Sequence, residues 1–392
     1  MSEIKVNSIK GVGASTAAIS IDNSSGSCTA NITNNLSNRN LIINGSQIID
    51  QRNSGSAITV SPNTSVYTTD RFTIFEATNG VVTAQQSTTA PDGFTKSLKI
   101  DCTTIDSTIA TLQRLIVTTK IEGNNIAHLG FGSSAAKNVV LSFYVKSNLT
   151  GSFSGAISNS ANNRVYIYSY TINSANTWER KTIPIVGDTT GTWLTTNGIG
   201  LNITWALALG ATYGGTAGAW GTVDKNGATN QVNFLSSTDN EWLITGAQFE
   251  IDNGSGVASD FEHRSYGKEL ALAQRYFTLI NADGSIDAYS PIGIGRFFDA
   301  TQAQIFVPLP TAMRHPPTIE AGSTTAADTF AINSGGSLVS ADCNSVGLNE
   351  RSFTSVTLIA TSSSISGQTT GMATTMYSHN TDNAKLGLTA EL

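Results

Sequence analysis

The strongest constraint on the fold is a series of short segments in which large apolar and small polar residues alternate. VVLSFYVKS (Val139–Ser147) and EWLITGAQFEI (Glu241–Ile251) show the pattern, and Gly, Asn and Ser residues separate such segments along the chain. Side chains of a β-strand point alternately to two faces, so a period of two favours strands with one buried face. Many short strands between turns predict an antiparallel sandwich or barrel. A parallel β-helix would show a fixed repeat of about 20–30 residues, and the sequence has none.

One segment departs from this pattern. In SYGKELALAQRYF (Ser265–Phe277), Leu270, Ala273 and the final phenylalanine recur at helical spacing. The polar cluster that precedes it, at residues 260–266, is interpreted as a hydrogen-bonded cap for this helix, with Arg264 pairing a carboxylate. The sequence therefore predicts one short connecting helix in an otherwise all-β chain.

The order of these segments predicts four parts. Residues 1–37 have too few large apolar side chains for a core of their own, so we expect them to form strands only against a partner. Residues 38–265 are expected to form an antiparallel β-sandwich, residues 266–277 the connecting helix, and residues 278–392 a C-terminal β domain. Thin, weakly charged β segments need covered edges, which favours a homotrimer.

Composition excludes several classes of partner. Charged residues make up 13% of the chain and the net charge is −6, so no basic face for nucleic acid is expected. Anionic membranes would not attract such a chain. No apolar run is long enough to span a bilayer, and MSEIKVNSIKGVG lacks the apolar core of a signal peptide. The three widely spaced cysteines favour reduced thiols over a disulfide framework. We therefore expect a protein that is made in the cytoplasm and neither binds nucleic acid nor inserts into membranes.

The sequence contains no pattern typical of catalysis or of metal binding. The four histidines are isolated from one another: His128, His263, His315 and His379. Phosphate-binding glycine loops and the Gly-x-Ser-x-Gly elbow are missing. The acidic pairs Asp260/Glu262 and Asp283/Asp287 lie beside the helix or in turns, where capping is the usual role. The sequence thus predicts no catalytic residue, no metal and no cofactor.

The best candidate for ligand contact is the loop ALALGATYGGTAGAWGTVDKNG (Ala206–Gly227). Aromatic rings stack on the apolar faces of sugars, while polar side chains bond to hydroxyl groups. Tyr213 and Trp220 supply the rings, and Asp224 and Asn226 supply the polar groups. The alternative interpretation is that these rings pack over the open end of the sandwich.

Several segments of the chain resemble tail-fibre proteins of tailed bacteriophages, of the marine and cyanophage type. The resemblance is carried by NLIINGSQIIDQRN (Asn40–Asn53), the stretch Thr111–Phe153, NTWERKTIPIVGDTTGTW (Asn176–Trp193) and FEHRSYGKELALAQRYF (Phe261–Phe277). It implies a jelly-roll sandwich similar to carbohydrate-binding modules, in a trimeric virion protein that acts in host recognition.

The same resemblance implies a division of labour along the fibre. Residues 1–37 would attach it to a tail adaptor or nozzle protein, and residues 278–392 would form the distal tip. The expected ligand is a glycan on the bacterial host surface, and the expected location is the virion tail, assembled in the host cytoplasm. Two other functions stay open, a purely structural fibre or adaptor and a depolymerase of host polysaccharide.

Overall fold

The computed structural model describes residues 6, 8–9, 19–21, 24, 28–30, 38–281, 290–320, 323, 330–333, 340–363, 368–378 and 385–392. Three features of the sequence therefore lie outside the described residues: most of the predicted attachment segment, the Asp283/Asp287 pair and His379. Within that segment, β1 (Ser8–Ile9), β2 (Ile19–Ile21) and β3 (Cys28–Ala30) pair as a small antiparallel sheet.

The central part of the chain forms two large sheets and one small two-stranded parallel sheet. Its strands are β4 (Ile58–Val60), β5 (Thr64–Tyr67), β6 (Phe72–Glu76), β7 (Val81–Ser87), β8 (Ser97–Thr104), β9 (Arg114–Glu122), β10 (Val139–Ser147), β11 (Gly151–Ser158), β12 (Val165–Ile172), β13 (Glu179–Ile185), β14 (Ile199–Leu209), β15 (Gly214–Gly215), β16 (Trp220–Gly221), β17 (Gly227–Ala228) and β18 (Glu241–Ile251). Short 3₁₀ turns occupy Gly123–Asn125, Ala127–Leu129, Ala211–Tyr213 and Phe234–Ser236. A six-stranded sheet has the order β13-β10-β18-β8-β7-β4, and a seven-stranded sheet has the order β16-β12-β11-β14-β9-β6-β5. Every pairing within the two sheets is antiparallel, which gives the predicted jelly-roll sandwich.

The core lies between these sheets, and the alternating residues of the strands fill it. Trp205 of β14 is fully buried, stacked on Phe72 at 6.1 Å and edge-on to Phe143 at 5.8 Å. Phe143 in turn meets Tyr170 edge-on at 5.0 Å. Edge-to-face and offset aromatic pairs add to the stabilisation that burial alone provides. Trp205 therefore belongs to the core of the sandwich.

A β-bulge on β18 depends on a glycine. The β10–β18 register shifts between Ser142 and Tyr144, beside Gly246, whose φ is +61°. A Cβ on Gly246 would come within 2.8 Å of Phe94 and 2.9 Å of Tyr144. Only glycine combines this left-handed backbone with such close approach.

The predicted helix forms, but it is shorter than expected. Helix α1 spans Tyr266–Gln274 and is capped by Ser265, whose hydroxyl accepts from the Lys268 amide at 3.4 Å. It ends before residue 277 because Phe277 begins a strand that pairs with Thr389. Arg264 lies 3.3 Å from Glu269, which confirms the expected pairing of Arg264 with a carboxylate.

The segment Asn40–Asn53 forms no strand, although its paired Leu and Ile residues favour one. It runs as turns along β18, with the Leu41 amide donating to Phe249 at 2.9 Å. Asn44 and Gln47 adopt positive φ, which interrupts an extended backbone. Asn44 instead bonds to the Ile49 and Asp70 carbonyls at 2.8 and 2.9 Å, so its side chain organises the turn.

The C-terminal part has a core of its own. Its strands are β19 (Phe277–Asn281), β20 (Pro291–Phe297), β21 (Gln302–Pro308), β22 (Thr318–Ile319), β23 (Phe330–Asn333), β24 (Ser340–Asp342), β25 (Ser345–Arg351), β26 (Ser355–Thr361), β27 (Ala373–Ser378) and β28 (Lys385–Thr389). They form a three-stranded sheet, β19-β28-β22, and a seven-stranded sheet, β24-β23-β27-β20-β21-β26-β25. Phe297, Ile305, Leu358 and Met376 are among its fully buried residues. The chain is thus all-β apart from one α-helix and the 3₁₀ turns among the described residues, and the homotrimer stays a prediction.

Buried ion pairs join the C-terminal part to the sandwich. Arg71 of the sandwich pairs with Glu391, and Arg52 pairs with Glu320 at 2.8 Å and with Glu391 at 3.3 Å. Arg314 donates to the carbonyls of Ala390 and Glu391 at 2.9 and 2.7 Å and to that of Asn197 at 2.7 Å. These contacts fix the last residues of the chain against the sandwich.

Glu122, at the end of β9, links the sandwich to the residues after the helix. It accepts hydrogen bonds from Arg275 at 2.9 and 2.7 Å and from the Tyr276 hydroxyl at 2.7 Å. Burial raises the pKa of this carboxyl, but the hydrogen bonds from Arg275 and Tyr276 outweigh it and hold the pKa below its ordinary value of 4.5.

No described helix has the length and apolarity that a bilayer-crossing segment needs. Cys102 and Cys343 are buried, as expected from the sparse cysteines. The side chain of Cys28 lies outside the described residues.

Truncating the central tryptophan should destabilise the sandwich strongly. We expect Trp205→Ala to lower the free energy of unfolding by about 3–5 kcal/mol, because a fully buried large aromatic leaves a cavity. Leu112→Ala is the control, since Leu112 is 70% exposed and its loss should change stability by less than about 0.5 kcal/mol. Chemical denaturation of both variants measures the difference, and equal effects would contradict the assignment of Trp205 to the core.

Glu122→Gln should destabilise the protein in a pH-dependent manner. The folded pKa of Glu122 lies below its unfolded value, so the stabilisation is complete above about pH 4.5 and is lost as the pH falls through the folded pKa. We expect a loss of about 1–3 kcal/mol at neutral pH that shrinks in acid. Glu350→Gln, at an exposed position, is the matched control. A Glu122→Gln effect that is the same at all pH values would contradict the proposed linkage.

Candidate functional site

The predicted ligand loop lies across the outer face of the seven-stranded sheet of the sandwich. Trp205 points into the core, so the neighbouring Ala206 points outward, beside Ser154 of β11. Gly227 at the end of the loop packs so tightly there that a Cβ would come within 2.3 Å of the Ser154 hydroxyl. Ala217 and Ala228 pack with Ile167 in a small apolar cluster outside the main core. The loop is therefore anchored to the sheet rather than extended from it.

Three of the four predicted site residues converge on Arg114, at the start of β9. The Arg114 guanidinium lies 4.0 Å from the centre of the Tyr213 ring and 5.1 Å from that of Phe75. It donates to the Asn226 side-chain oxygen at 2.7 Å and lies 3.9 Å from the Asp224 carboxylate. Contact with two aromatic faces and two polar groups holds the guanidinium in one orientation.

The polar groups of this cluster are partly accessible. The Asp224 side chain is 45% exposed and that of Arg114 is 22% exposed. Between Asp224 and Asn226, Lys225 folds back and donates to the Thr212 carbonyl at 2.6 Å. The Asn226 amide donates to the Tyr213 carbonyl at 2.9 Å, which ties the two ends of the loop together. The result is a preorganised patch with one aromatic ring, one cation, one carboxylate and one amide, a combination suited to hydroxyl-rich ligands. We call it the Arg114 patch.

Trp220 lies in a different environment from the other three. Its ring meets Trp193 at 5.5 Å, Tyr166 at 5.4 Å and Phe131 at 5.9 Å, each edge-on. Its indole nitrogen donates to the Val186 carbonyl at 2.7 Å. Trp220 therefore packs against the sandwich core, as in the alternative interpretation of the loop. The structure does not bring it together with Tyr213.

Arg114 was not among the residues predicted from the sequence. Its neighbours in the patch are about one hundred positions away in the chain, and β9 comes beside the loop because Arg114 is opposite Leu209 in the β9–β14 ladder. A single arginine before an apolar strand gives no local signal of this contact.

The other groups considered in the sequence have structural partners. Glu262 accepts a hydrogen bond from the Asn40 backbone amide at 2.8 Å, and His263 packs between Phe94 and Phe261 at 5.1 and 4.9 Å. The His315 ring nitrogen lies 2.7 Å from its neighbouring proline carbonyl. Among the residues that the structure describes, no three His, Cys, Asp or Glu side chains are grouped to hold a metal ion.

The sequence matches no protein-family model and no curated protein. Among solved structures, it is similar to the enzymatically active domain of bacteriophage CBA120 tailspike protein 4, at 12% identity and a TM-score of 0.28 over 54% of this chain and 21% of that one. A putative sugar-binding protein from Bacteroides thetaiotaomicron matches at 13% identity and a TM-score of 0.31, over 55% of this chain and 100% of that one. The family 11 carbohydrate-binding module from Clostridium thermocellum matches at 12% identity and a TM-score of 0.26, over 50% of this chain and 95% of that one. This chain spans about a fifth of the tailspike domain that it matches.

The two aromatic residues of the loop should differ in their effect on stability. We expect Trp220→Ala to lower the free energy of unfolding by about 2–3 kcal/mol, since it removes three ring contacts and a hydrogen bond from a half-buried position. Tyr213→Ala should cost about 1 kcal/mol or less, because its ring contacts mainly Arg114. Thermal or chemical denaturation distinguishes the two. A larger loss for Tyr213→Ala would show that the ring of Tyr213, not of Trp220, supports the fold.

Proposed function

We propose that the protein is a bacteriophage tail fibre that recognises glycans on the bacterial host surface, without covalent chemistry. The observation that carries the proposal is the Arg114 patch, where Tyr213 presents an aromatic ring beside a fixed cation and a partly exposed carboxylate. The jelly-roll sandwich beneath it keeps these groups in place. The resemblance of residues 38–277 to phage tail fibres supports the biological setting.

In this proposal, each group of the patch has a separate task in binding. The ring of Tyr213 contacts the apolar face of a sugar, while Asp224 and Asn226 bond to its hydroxyl groups. Arg114 positions these side chains and has one hydrogen bond already committed to Asn226. Because the guanidinium is already ordered, little conformational entropy is lost when a ligand binds.

The fibre is proposed to act as a homotrimer that docks on a tail adaptor or nozzle protein through residues 1–37. Residues 278–392 would then lie toward the distal end. Sedimentation at micromolar concentration tests the assembly, and a well-folded monomer would contradict the trimer.

Retention on bacterial cells tests the proposed function directly. The purified protein is incubated with a panel of bacteria and their envelope glycans, and both bound protein and released reducing sugar are measured. We expect retention on some strains without release of sugar. Tyr213→Ala and Asp224→Ala should weaken retention about tenfold each, the equivalent of ~1.4 kcal/mol.

The matched control is Thr222→Ala, an exposed position in the same loop, which should leave retention unchanged. Release of sugar would favour a depolymerase, and absence of retention on every strain would favour a structural fibre or adaptor. Retention that the Tyr213 and Asp224 variants do not weaken would move the binding site away from the Arg114 patch.

A further inference from the structure

A cleft opens where the sandwich meets the C-terminal sheet. It has a volume of about 540 Å³ and is lined from both sides of the junction. Its polar and aromatic lining residues include Arg52, Thr59, Ser65, Tyr67, Glu320 and Ser323. Ligand pockets in proteins have volumes of about 300–1,000 Å³, so the cleft is large enough for a small molecule.

The walls of the cleft are held rigidly by Arg52. Its guanidinium lies 3.6 Å from the centre of the Phe277 ring and 4.3 Å from that of Tyr67, so it is enclosed between a ring from each side of the junction. The side chain of Arg52 is only 7% exposed. An enclosed cation with two aromatic contacts has little freedom to reorganise, which favours a preformed cleft.

The charges of the cleft cancel. Among the residues that the structure describes, its charged lining side chains are Arg52 and Glu320, and the arginine Nε donates to the Glu320 carboxylate at 2.8 Å. Because Arg52 also pairs with Glu391 at 3.3 Å, a free anion would find no uncompensated positive charge there. A neutral ligand avoids the cost of desolvating a net charge.

The cleft nevertheless offers hydrogen-bonding groups. Thr59 and Ser65 are exposed residues at its rim. The Glu320 side chain is 25% exposed, and Arg52 bonds to only one of its two oxygens. A carboxylate with a free oxygen accepts hydrogen bonds from hydroxyl groups, and the hydroxyl side chains both donate and accept. The ring of Tyr67 adds an apolar wall. This set of groups matches a polyhydroxylated ring.

We infer that this cleft binds a neutral saccharide of one or two sugar units. The Glu320 carboxylate and the hydroxyl groups of Thr59 and Ser65 would bond to the sugar hydroxyls, while Tyr67 contacts its carbon face. The inference goes beyond the proposed function, because the cleft shares no lining residue with the Arg114 patch and its ligand is named by class.

Binding of free sugars by the full-length protein tests the inference. Calorimetric titration uses glucose, galactose, mannose, N-acetylglucosamine and lactose as neutral probes and glucuronic acid as a charged one. We expect at least one neutral probe to bind and glucuronic acid to bind more weakly. Ser65→Trp and Thr59→Trp add bulk at the rim of the cleft and should each weaken binding by about tenfold or more.

Thr103→Trp, at an exposed position on β8, is the matched control and should bind as the unmodified protein does. Circular dichroism verifies that each variant is folded. Independently of the variants, a crystal of the unmodified protein soaked with the binding sugar should show it between Tyr67 and Glu320. Binding of no neutral probe, preference for glucuronic acid, or a bound sugar only outside the cleft would each overturn the inference.

The result of the sugar-binding test can be distinguished from the result of the cell-retention test of the proposed function. Tyr213→Ala should weaken retention on cells but keep the affinity of the cleft for the free sugar. If the cleft variants lose the sugar and cell retention is absent, the inference stands while the proposed host recognition fails. If retention depends on Tyr213 and no neutral sugar binds, the proposed function stands and the inference fails.

Discussion

The arrangement of the molecule depends on ion pairs buried between two β units that have separate cores. Arg71 is almost fully enclosed, pairs with Glu391, stacks on Tyr276 at 3.7 Å and donates to the Lys120 carbonyl at 2.8 Å. Burying a charge is costly unless its partners are well placed and its remaining donors are bonded. Removing Glu391 would leave Arg71 and part of Arg52 uncompensated inside the junction. The ion pairs therefore favour one relative placement of the two units over all others, and the surfaces formed at the junction depend on that placement.

The junction cleft depends on this placement, whereas the Arg114 patch depends on strand pairing within the seven-stranded sheet of the sandwich. The Arg114 patch uses the outer face of β9 and β6, where Phe75 lies under the guanidinium. Ser65, at the rim of the junction cleft, is directly opposite Phe75 in the β5–β6 ladder. The patch and the cleft are therefore neighbours on one face of the sandwich, separated by a single strand pairing.

Local sequence patterns were sufficient to predict the strands but not the contacts between residues that are distant in the sequence. Val139–Ser147 and Glu241–Ile251 form strands with the predicted bounds, because alternation is a property of each segment by itself. The helix end was missed because Phe277 pairs with Thr389, a contact over more than one hundred residues. Likewise, Tyr213, Asp224 and Asn226 were predicted from one loop, whereas Arg114 comes to them through strand pairing. Trp220 lies in the same loop but packs on the core, because the composition of a loop does not show whether a side chain points toward the core or toward solvent.

The distance between the two β units is the most direct test of the fixed junction. Nitroxide labels on cysteines introduced at Thr103 of the sandwich and Phe353 of the C-terminal part, both exposed, would report it by pulsed electron paramagnetic resonance. The background would lack Cys28, the other two cysteines being buried, and excess unlabelled protein would suppress distances between copies. Ion pairs that fix the junction predict a single narrow distance distribution. A broad distribution would show that the two units move independently, and neither the buried ion pairs nor the cleft between the units would then have the role described.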